Sequence, residues 1–123
     1  IRIGAPVSAP KAVRALRDAL GLAVAAEEPE IAAAAARADR AGLYPCPHTA
    51  GALAGLERLR AAGTIAPGDR VVVVATAHGL KFSEFKARLH RGPGPHENRP
   101  LDLPGDPDAA LAAIHRALDR RAG

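Results

Sequence analysis

Residues 71–82 read VVVVATAHGLKF, and this stretch decides the fold that the sequence predicts. Its four consecutive valines show no alternation with polar residues, which is typical of a parallel strand covered on both faces. A turn sequence, APGD, lies just before it at residues 66–69, and a helical pattern follows from Ser83. We therefore predict a buried strand placed between two helices.

Outward from this strand, the chain alternates between helical and extended segments. Helical spacing, with cap and stop residues at the ends, predicts helices over about residues 10–20, 29–40, 48–62, 83–91 and 107 onward. Ser8 and Asp106 are the expected caps of the first and last helices. A second short strand is predicted at residues 22–26. This order predicts an α/β fold with parallel strands and flanking helices.

Each predicted helix has a side that should be buried. The alanine run at residues 32–36 has little bulk, so we expect the second helix to lie very close to a neighbour. The other expected buried residues are Val13, Leu16 and Leu20; Leu53, Leu56 and Leu59; Phe82, Phe85 and Leu89; and Leu111, Ile114 and Leu118. Residues 1–92 and the Pro- and Gly-rich connector with its helix, residues 93–123, are expected to form parts of one domain.

Composition and charge exclude several classes of protein. A chain of 123 residues holds one modest domain, and its formal charge of +4 comes from scattered basic residues, so we expect no nucleic-acid partner. No segment resembles a membrane span, and the single cysteine, Cys46, suits a reducing compartment, so a cytoplasmic location is predicted. Because the chain has no Met and opens at Ile1, we expect it to be part of a longer polypeptide.

The residues directly after the valine run are the first candidates for chemistry. In open parallel sheets, ligands gather beyond the carboxyl ends of the strands. Thr76, His78 and Gly79 follow Val74 closely and place a hydroxyl and an imidazole at that edge. The alternative is structural, with Thr76 capping the strand end and His78 lying in a solvated turn.

Three blocks of sequence together resemble the threonine synthase family. They are VVVVATAHGLKF at residues 71–82, CPHTAGAL at residues 46–53 and IRIGAP at residues 1–6. The resemblance spans roughly residues 1–90. It implies the fold-type II, tryptophan synthase β-like architecture of pyridoxal-phosphate enzymes, of which this chain would form the C-terminal part of the cofactor-binding domain. The sequence departs from the family pattern at Ala5, where Asn is usual.

The resemblance also implies a reaction and a cofactor. Threonine synthases convert O-phosphohomoserine and water into threonine and phosphate with pyridoxal 5'-phosphate. Thr76 matches the family residue whose hydroxyl meets the pyridine nitrogen of the cofactor, and a hydroxyl can donate a hydrogen bond to a neutral nitrogen. Gly4, Cys46 and His78 are expected to form the pocket wall. The sequence does not fix the number of subunits of the parent enzyme, and a homodimer is one alternative.

No catalytic residue is predicted within this chain. The lysine that forms the imine with the cofactor is expected before Ile1, together with the phosphate-binding loop and the rest of the same polypeptide. Lys81 does not match that lysine, and we expect it to have a structural or surface role. The isolated chain is therefore expected to be inactive.

Several alternatives accompany this interpretation. Some relatives carry Glu where Cys46 stands, so a nucleophilic or redox role is conceivable, but no base accompanies it in sequence and packing is favoured. Cys46, His48 and His78 lack a recognised metal-ligand spacing, so no metal site is predicted. The other functions considered are a threonine dehydratase, a cysteine synthase-like enzyme and a non-catalytic module derived from such an enzyme.

Overall fold

A computed structural model describes residues 3–93 and 95–122 of the chain, which leaves Ile1 and Arg2 of the first block outside. Gly94 of the predicted connector also lies outside the described residues. The described part contains five α-helices and a short 3-10 helix. They are α1 (Ala9–Asp18), α2 (Glu28–Arg40), α3 (Pro47–Ala61), the 3-10 helix (Gly79–Phe82), α4 (Ser83–Arg91) and α5 (Pro107–Ala122). The five predicted helices are confirmed.

The helices begin where capping chemistry allows. The Asp106 carboxylate accepts hydrogen bonds from the backbone N–H groups of Asp108 and Ala109, both at 3.2 Å, which confirms it as the cap of α5. At the start of α2, the Glu27 N–H donates to Glu30 Oε2 at 2.6 Å, and this bond holds the pKa of the Glu30 carboxyl below its ordinary value. Ser8 occupies the cap position of α1, but its side chain makes no capping hydrogen bond.

Small residues form the core between α2 and α3. Ile31, Ala34 and Ala35 of α2 pack with Ala50 and Ala54 of α3 in one buried cluster. Because alanine has no side chain beyond Cβ, the two helices can approach closely, as the alanine run predicts. Phe85 and Leu89 of α4 pack against the same cluster. The core therefore holds α2, α3 and α4 together.

The larger apolar residues are less buried than the sequence predicts. The expected leucine stripe of α3 is only partly buried, because its small residues occupy the contact with α2. No residue of α1 is buried. In α5 the expected apolar residues Leu111, Ile114 and Leu118 are all more than half exposed, and the buried residue is Ala113. The predicted buried sides of α1 and α5 are wrong for this structure.

The two predicted strands do not form within the described residues. Residues 22–26 and 71–74 belong to no helix or strand, and Val72 is 89% exposed. A strand exists only when a neighbouring strand pairs with its backbone N–H and C=O groups. No such ladder forms among residues 3–93 and 95–122, where the one bridge joins Pro45 and His78 in antiparallel fashion. The parallel sheet is therefore absent from the described part of the chain.

A buried ion cluster connects α2 to α4. Lys86 is 2% exposed, and its Nζ lies 2.5 Å from Asp39 Oδ1. His90 Nε2 lies 3.0 Å from the other Asp39 oxygen. His90 Nδ1 is 3.0 Å from the His96 carbonyl oxygen. Both oxygens of Asp39 thus have partners, as a buried carboxylate requires.

No helix in the described residues is long and apolar enough to cross a membrane.

Replacing Lys86 should destabilise the fold strongly. The Lys86→Ala change leaves the mostly buried Asp39 without its cation, and breaking a buried pair in this way costs about 3–5 kcal/mol. Urea unfolding followed by circular dichroism measures the change. Lys81→Ala is the matched control, because Lys81 is exposed and forms no ion pair in the described residues. Equal midpoints for the two variants would contradict this role of Lys86.

Candidate functional site

A short antiparallel bridge brings the two most informative sequence blocks together. The Cys46 N–H donates to the Ala77 carbonyl at 3.2 Å, and the Gly79 N–H donates to the Tyr44 carbonyl at 2.8 Å. The bridge lies immediately before α3 and immediately before the 3-10 helix. It therefore places the end of the valine run beside the first turn of α3.

Cys46 lies at the centre of this contact and is fully buried, with 0% of its surface exposed. It occupies the N-cap position of α3, where its sulfur accepts a hydrogen bond from the Thr49 N–H at 3.5 Å. Cys46 Sγ also lies 3.4 Å from Thr49 Oγ1 and 3.5 Å from Thr76 Oγ1. The thiol thus connects the two hydroxyls of the site.

The environment of the Cys46 sulfur favours its ionised form. Burial raises the pKa of the thiol, but hydrogen bonds from Thr49, Thr76 and the His48 backbone outweigh burial and lower that pKa to about 6. The N-terminal end of a helix is partly positive, which also favours a thiolate at this position. Cys46 thus packs in the interior and also accepts hydrogen bonds at its sulfur.

Thr76 is held by its backbone, which leaves its hydroxyl available. Its N–H donates to Thr49 Oγ1 at 3.2 Å, while its hydroxyl contacts the Cys46 sulfur. The residue itself is exposed. A hydroxyl has one proton and two lone pairs. Thr76 can therefore bind one further partner on its open side without losing its contact with Cys46.

His78 has a defined role in the local structure. Its Nδ1 accepts a hydrogen bond from the Leu80 N–H at 3.2 Å, so its neutral ring carries the proton on Nε2. The ring also packs against Tyr44, with centroids 5.5 Å apart. His78 is exposed, lies beside the Cys46–Thr76 contact and caps the 3-10 helix with its side chain.

The remaining candidates lie apart from this contact. Gly4 is exposed, and a Cβ built on it would meet no atom within 4 Å. Lys81 is exposed, as predicted. His48 is exposed and contacts Phe82 edge-on, with ring centroids 5.9 Å apart. Among the residues that the structure describes, no three His, Cys, Asp or Glu side chains come close enough to hold a metal ion.

Behind the bridge, Tyr44 and Gly79 pack on the buried lysine. Lys86 Nζ lies 4.5 Å from the centroid of the Tyr44 ring, which is the geometry of a cation–π contact. A Cβ on Gly79 would come within 2.7 Å of Lys86 Cε and 2.8 Å of Tyr44 Cδ1. Any larger residue at position 79 would therefore require the Lys86 or Tyr44 side chain to shift.

Three residues of this site were not predicted from the sequence. Thr49 stands three positions after a helix cap, the spacing at which a side chain meets a cap residue, so capping rules could have linked it to Cys46. Lys86 lies four residues after Phe82 and three before Leu89, which places it on the inward side of α4. For Tyr44, whose backbone has a φ of 43°, no local pattern indicates a position over a lysine.

Comparison with known proteins assigns the family. Residues 1–77, more than half of the chain, match the family model described as pyridoxal-phosphate dependent enzyme. This chain belongs to that family. Membership implies the tryptophan synthase β-like, fold-type II architecture, and the family's cofactor is pyridoxal phosphate.

Several similar curated proteins are named threonine synthase. The chain is 49% identical over 90 residues to threonine synthase 2, chloroplastic, of Arabidopsis thaliana, covering 73% of this chain and 17% of that protein. It is 38% identical over 94 residues to threonine synthase of Methanocaldococcus jannaschii, covering 76% of this chain and 23% of that protein. The chain thus spans less than a quarter of the length of these relatives.

The residues of the site fit the ring of such a cofactor. Its pyridine nitrogen needs one hydrogen-bond partner, and Thr76 has an exposed position and a hydroxyl with a free side. The Thr49 and Cys46 side chains that contact Thr76 are buried. The donor set is therefore suitable for an aromatic nitrogen.

Gly79→Ala should disrupt the bridge. The added methyl group would collide with Lys86 and Tyr44, and overpacking of this kind costs about 1–3 kcal/mol. The unfolding midpoint in urea reports the loss. Gly68→Ala serves as the control, because a Cβ there meets no atom within 4 Å. A Gly79→Ala protein as stable as Gly68→Ala would show that the approach is not tight.

The Cys46 thiol should ionise well below the ordinary range of a cysteine. Ultraviolet absorbance of the thiolate, recorded against pH, should rise with a midpoint of about 6, since the pKa of Cys46 is lowered to about 6. Cys46 is the single cysteine of the chain, so the signal has one source.

Thr49→Val tests the cause of that low pKa. Loss of the Thr49 hydroxyl removes a donor to the sulfur, so the midpoint should move upward. His48→Ala is the control, because the His48 side chain makes no hydrogen bond to the sulfur in the described residues. An unchanged midpoint in Thr49→Val would contradict the assignment.

Proposed function

We propose that this chain is the C-terminal part of a threonine synthase, which converts O-phosphohomoserine and water into threonine and phosphate. One observation carries the proposal: Thr76 is held beside Cys46 with its hydroxyl available, in a chain similar to proteins named threonine synthase. The plant and archaeal relatives carry the same name, threonine synthase. This agreement favours the threonine synthase reaction over the reactions of a dehydratase or a cysteine synthase.

Each residue of the site has a role in this proposal. The Thr76 hydroxyl contacts the pyridine nitrogen of pyridoxal phosphate, and the Thr49 side chain fixes the Thr76 backbone. Cys46 fills the space behind both hydroxyls and excludes water from it. The cofactor supplies the electron sink for the reaction. The groups that bind substrate and cofactor phosphate, and the cofactor-binding lysine, belong to the remainder of the polypeptide.

The proposal extends to the architecture around the site. We place residues 22–26 and 71–74 as parallel strands in a sheet that the rest of the polypeptide completes. The exposed Val71, Val72 and Val74 support this placement, since bare β-branched residues gain most by burial in a sheet. Residues 1–92 and 93–123 then belong to one cofactor-binding domain. A cytoplasmic location and the pocket-wall role of Gly4 stay predictions.

The test compares substrates and variants in the complete polypeptide that carries this chain. With pyridoxal phosphate and O-phosphohomoserine, it should release phosphate and form threonine, while threonine itself should give no 2-oxobutanoate. Thr76→Val removes a hydrogen bond to the cofactor and should lower kcat about 10- to 100-fold. Thr76→Ser keeps the hydroxyl and should retain most activity.

The contrary outcomes are equally specific. Turnover of threonine without turnover of O-phosphohomoserine would assign a dehydratase. Covalent capture of the cofactor by a lysine of the isolated 123-residue chain on borohydride reduction, with threonine formation, would overturn the expectation that catalysis needs the remainder of the polypeptide. Equal rates for Thr76→Val and Thr76→Ser would remove Thr76 from the cofactor contact.

A further inference from the structure

A cleft of about 800 Å³ is lined by the end of α2, by α4 and by the connector that follows α4. A volume of this size is within the range of small-molecule sites in proteins, about 300–1,000 Å³. Its polar lining comes from three separate segments, with Arg40 on α2, Ser83 on α4 and Asn98 on the connector. None of these residues has a role in the proposed function, so the cleft is a second candidate site.

The wall of this cleft includes the buried ion cluster of Asp39, Lys86 and His90. Each nitrogen of the His90 ring faces an accepting oxygen. Nε2 lies 3.0 Å from Asp39 Oδ2, and Nδ1 lies 3.0 Å from the His96 carbonyl oxygen. A neutral imidazole has a single N–H, so it can donate to one of these oxygens only. Both contacts are hydrogen bonds when the ring carries two protons, and His90 is then an imidazolium.

The cluster with this imidazolium has a net positive charge. Asp39 supplies one negative charge, whereas Lys86 and His90 supply two positive charges. The three side chains are at most 15% exposed, so water screens the excess charge poorly. A buried charge without a partner is costly, and an ion of opposite sign stabilises it. The cluster therefore favours an anion in the adjoining cleft.

The other charged and polar groups of the lining also suit an anion. Arg40 is exposed and forms no ion pair within the described residues, so its guanidinium can bind a ligand. The Glu97 carboxylate already pairs with Arg99 at 2.7 Å. His96 Nδ1 is buried and has no hydrogen-bond partner among the described residues. An orphaned buried atom of this kind is expected where a water or a ligand completes the structure.

We propose that this cleft binds a phosphate group, either as inorganic phosphate or as part of a small phosphate ester. Arg40, Ser83 and Asn98 donate hydrogen bonds to its oxygens, and the buried cluster supplies positive charge. Phosphate fits better than a carboxylate, because a phosphate monoester carries about −1.5 to −2 at neutral pH. That charge matches the one positive charge of Arg40 together with the one excess charge of the cluster. The inference does not rest on the proposed function.

The experiment uses the two histidines of the cleft as reporters. The complete polypeptide that carries this chain is labelled with ¹⁵N in its histidine rings and titrated with inorganic phosphate at constant ionic strength. The ring signals of His90 and His96, assigned by their loss in His90→Gln and His96→Gln, should shift and saturate. In the bound state both ring nitrogens of His90 should carry protons. Acetate should bind at least about 10-fold more weakly, because it carries a single charge.

A parallel titration with glycerol 3-phosphate separates the two sources of the phosphate group. Tighter binding than inorganic phosphate would assign the cleft to a phosphate ester, whose remaining atoms occupy more of its volume. Equal or weaker binding would assign it to free phosphate. Either result supports a phosphate site.

Arg40→Gln tests the cleft itself. It removes a charged donor and should raise the Kd for phosphate about 10- to 100-fold, the range expected for one hydrogen bond to a charged group. Arg14→Gln is the matched control and should keep the wild-type Kd, because Arg14 is exposed on α1 and does not line the cleft. Both positions are exposed, so neither change removes a buried contact.

Four results would overturn the inference. The first is no saturable shift of His90 or His96 with either phosphate probe. The second is an equal Kd for acetate and phosphate, which would remove the preference for phosphate. The third is an equal phosphate Kd in Arg40→Gln and Arg14→Gln, which would place the bound phosphate elsewhere in the polypeptide. The fourth is a His90 ring with a single proton in the bound state, which would remove the excess charge of the cluster.

Discussion

Two backbone hydrogen bonds join residues 44–46 to residues 77–79, and every contact of the site depends on them. They bring Cys46 and Thr76, which are far apart in sequence, within hydrogen-bonding distance. Nothing else in the described residues ties these segments so directly. The bridge is in turn held from behind, because Gly79 leaves just enough room for the buried Lys86 side chain.

The rest of the fold serves to place that bridge. The alanine faces of α2 and α3 pack closely, which fixes the axis of α3 and with it the position of the helix start at Cys46. Asp39 extends from α2 to Lys86 on α4, and Lys86 reaches under Tyr44. A buried ion pair adds little net stability but is directional. Packing thus sets the distance between α2 and α3, and the ion pair sets the orientation of the Lys86 side chain under Tyr44.

The sequence predicts local features of this structure better than contacts between distant segments. Helix positions follow from capping residues and apolar spacing. Asp106, which was predicted to cap the last helix, does cap α5. The motif containing Thr76 also points to the site. The contact of Cys46 with Thr76 could not be predicted, because it depends on how two loops meet. The valine run shows the converse limit: a pattern typical of strands forms a strand only beside a partner.

Among the residues that the structure describes, the partners of the Cys46 sulfur are threonine groups and not charged side chains, so hydrogen bonds govern its electrostatics. A carboxylate facing a pyridine nitrogen would favour one protonation state by charge alone. A threonine hydroxyl favours neither, because it donates and accepts equally well. Behind Thr76 lies the buried Cys46 thiol at the N-terminus of α3, and hydrogen bonds from Thr49, Thr76 and the His48 backbone lower its pKa.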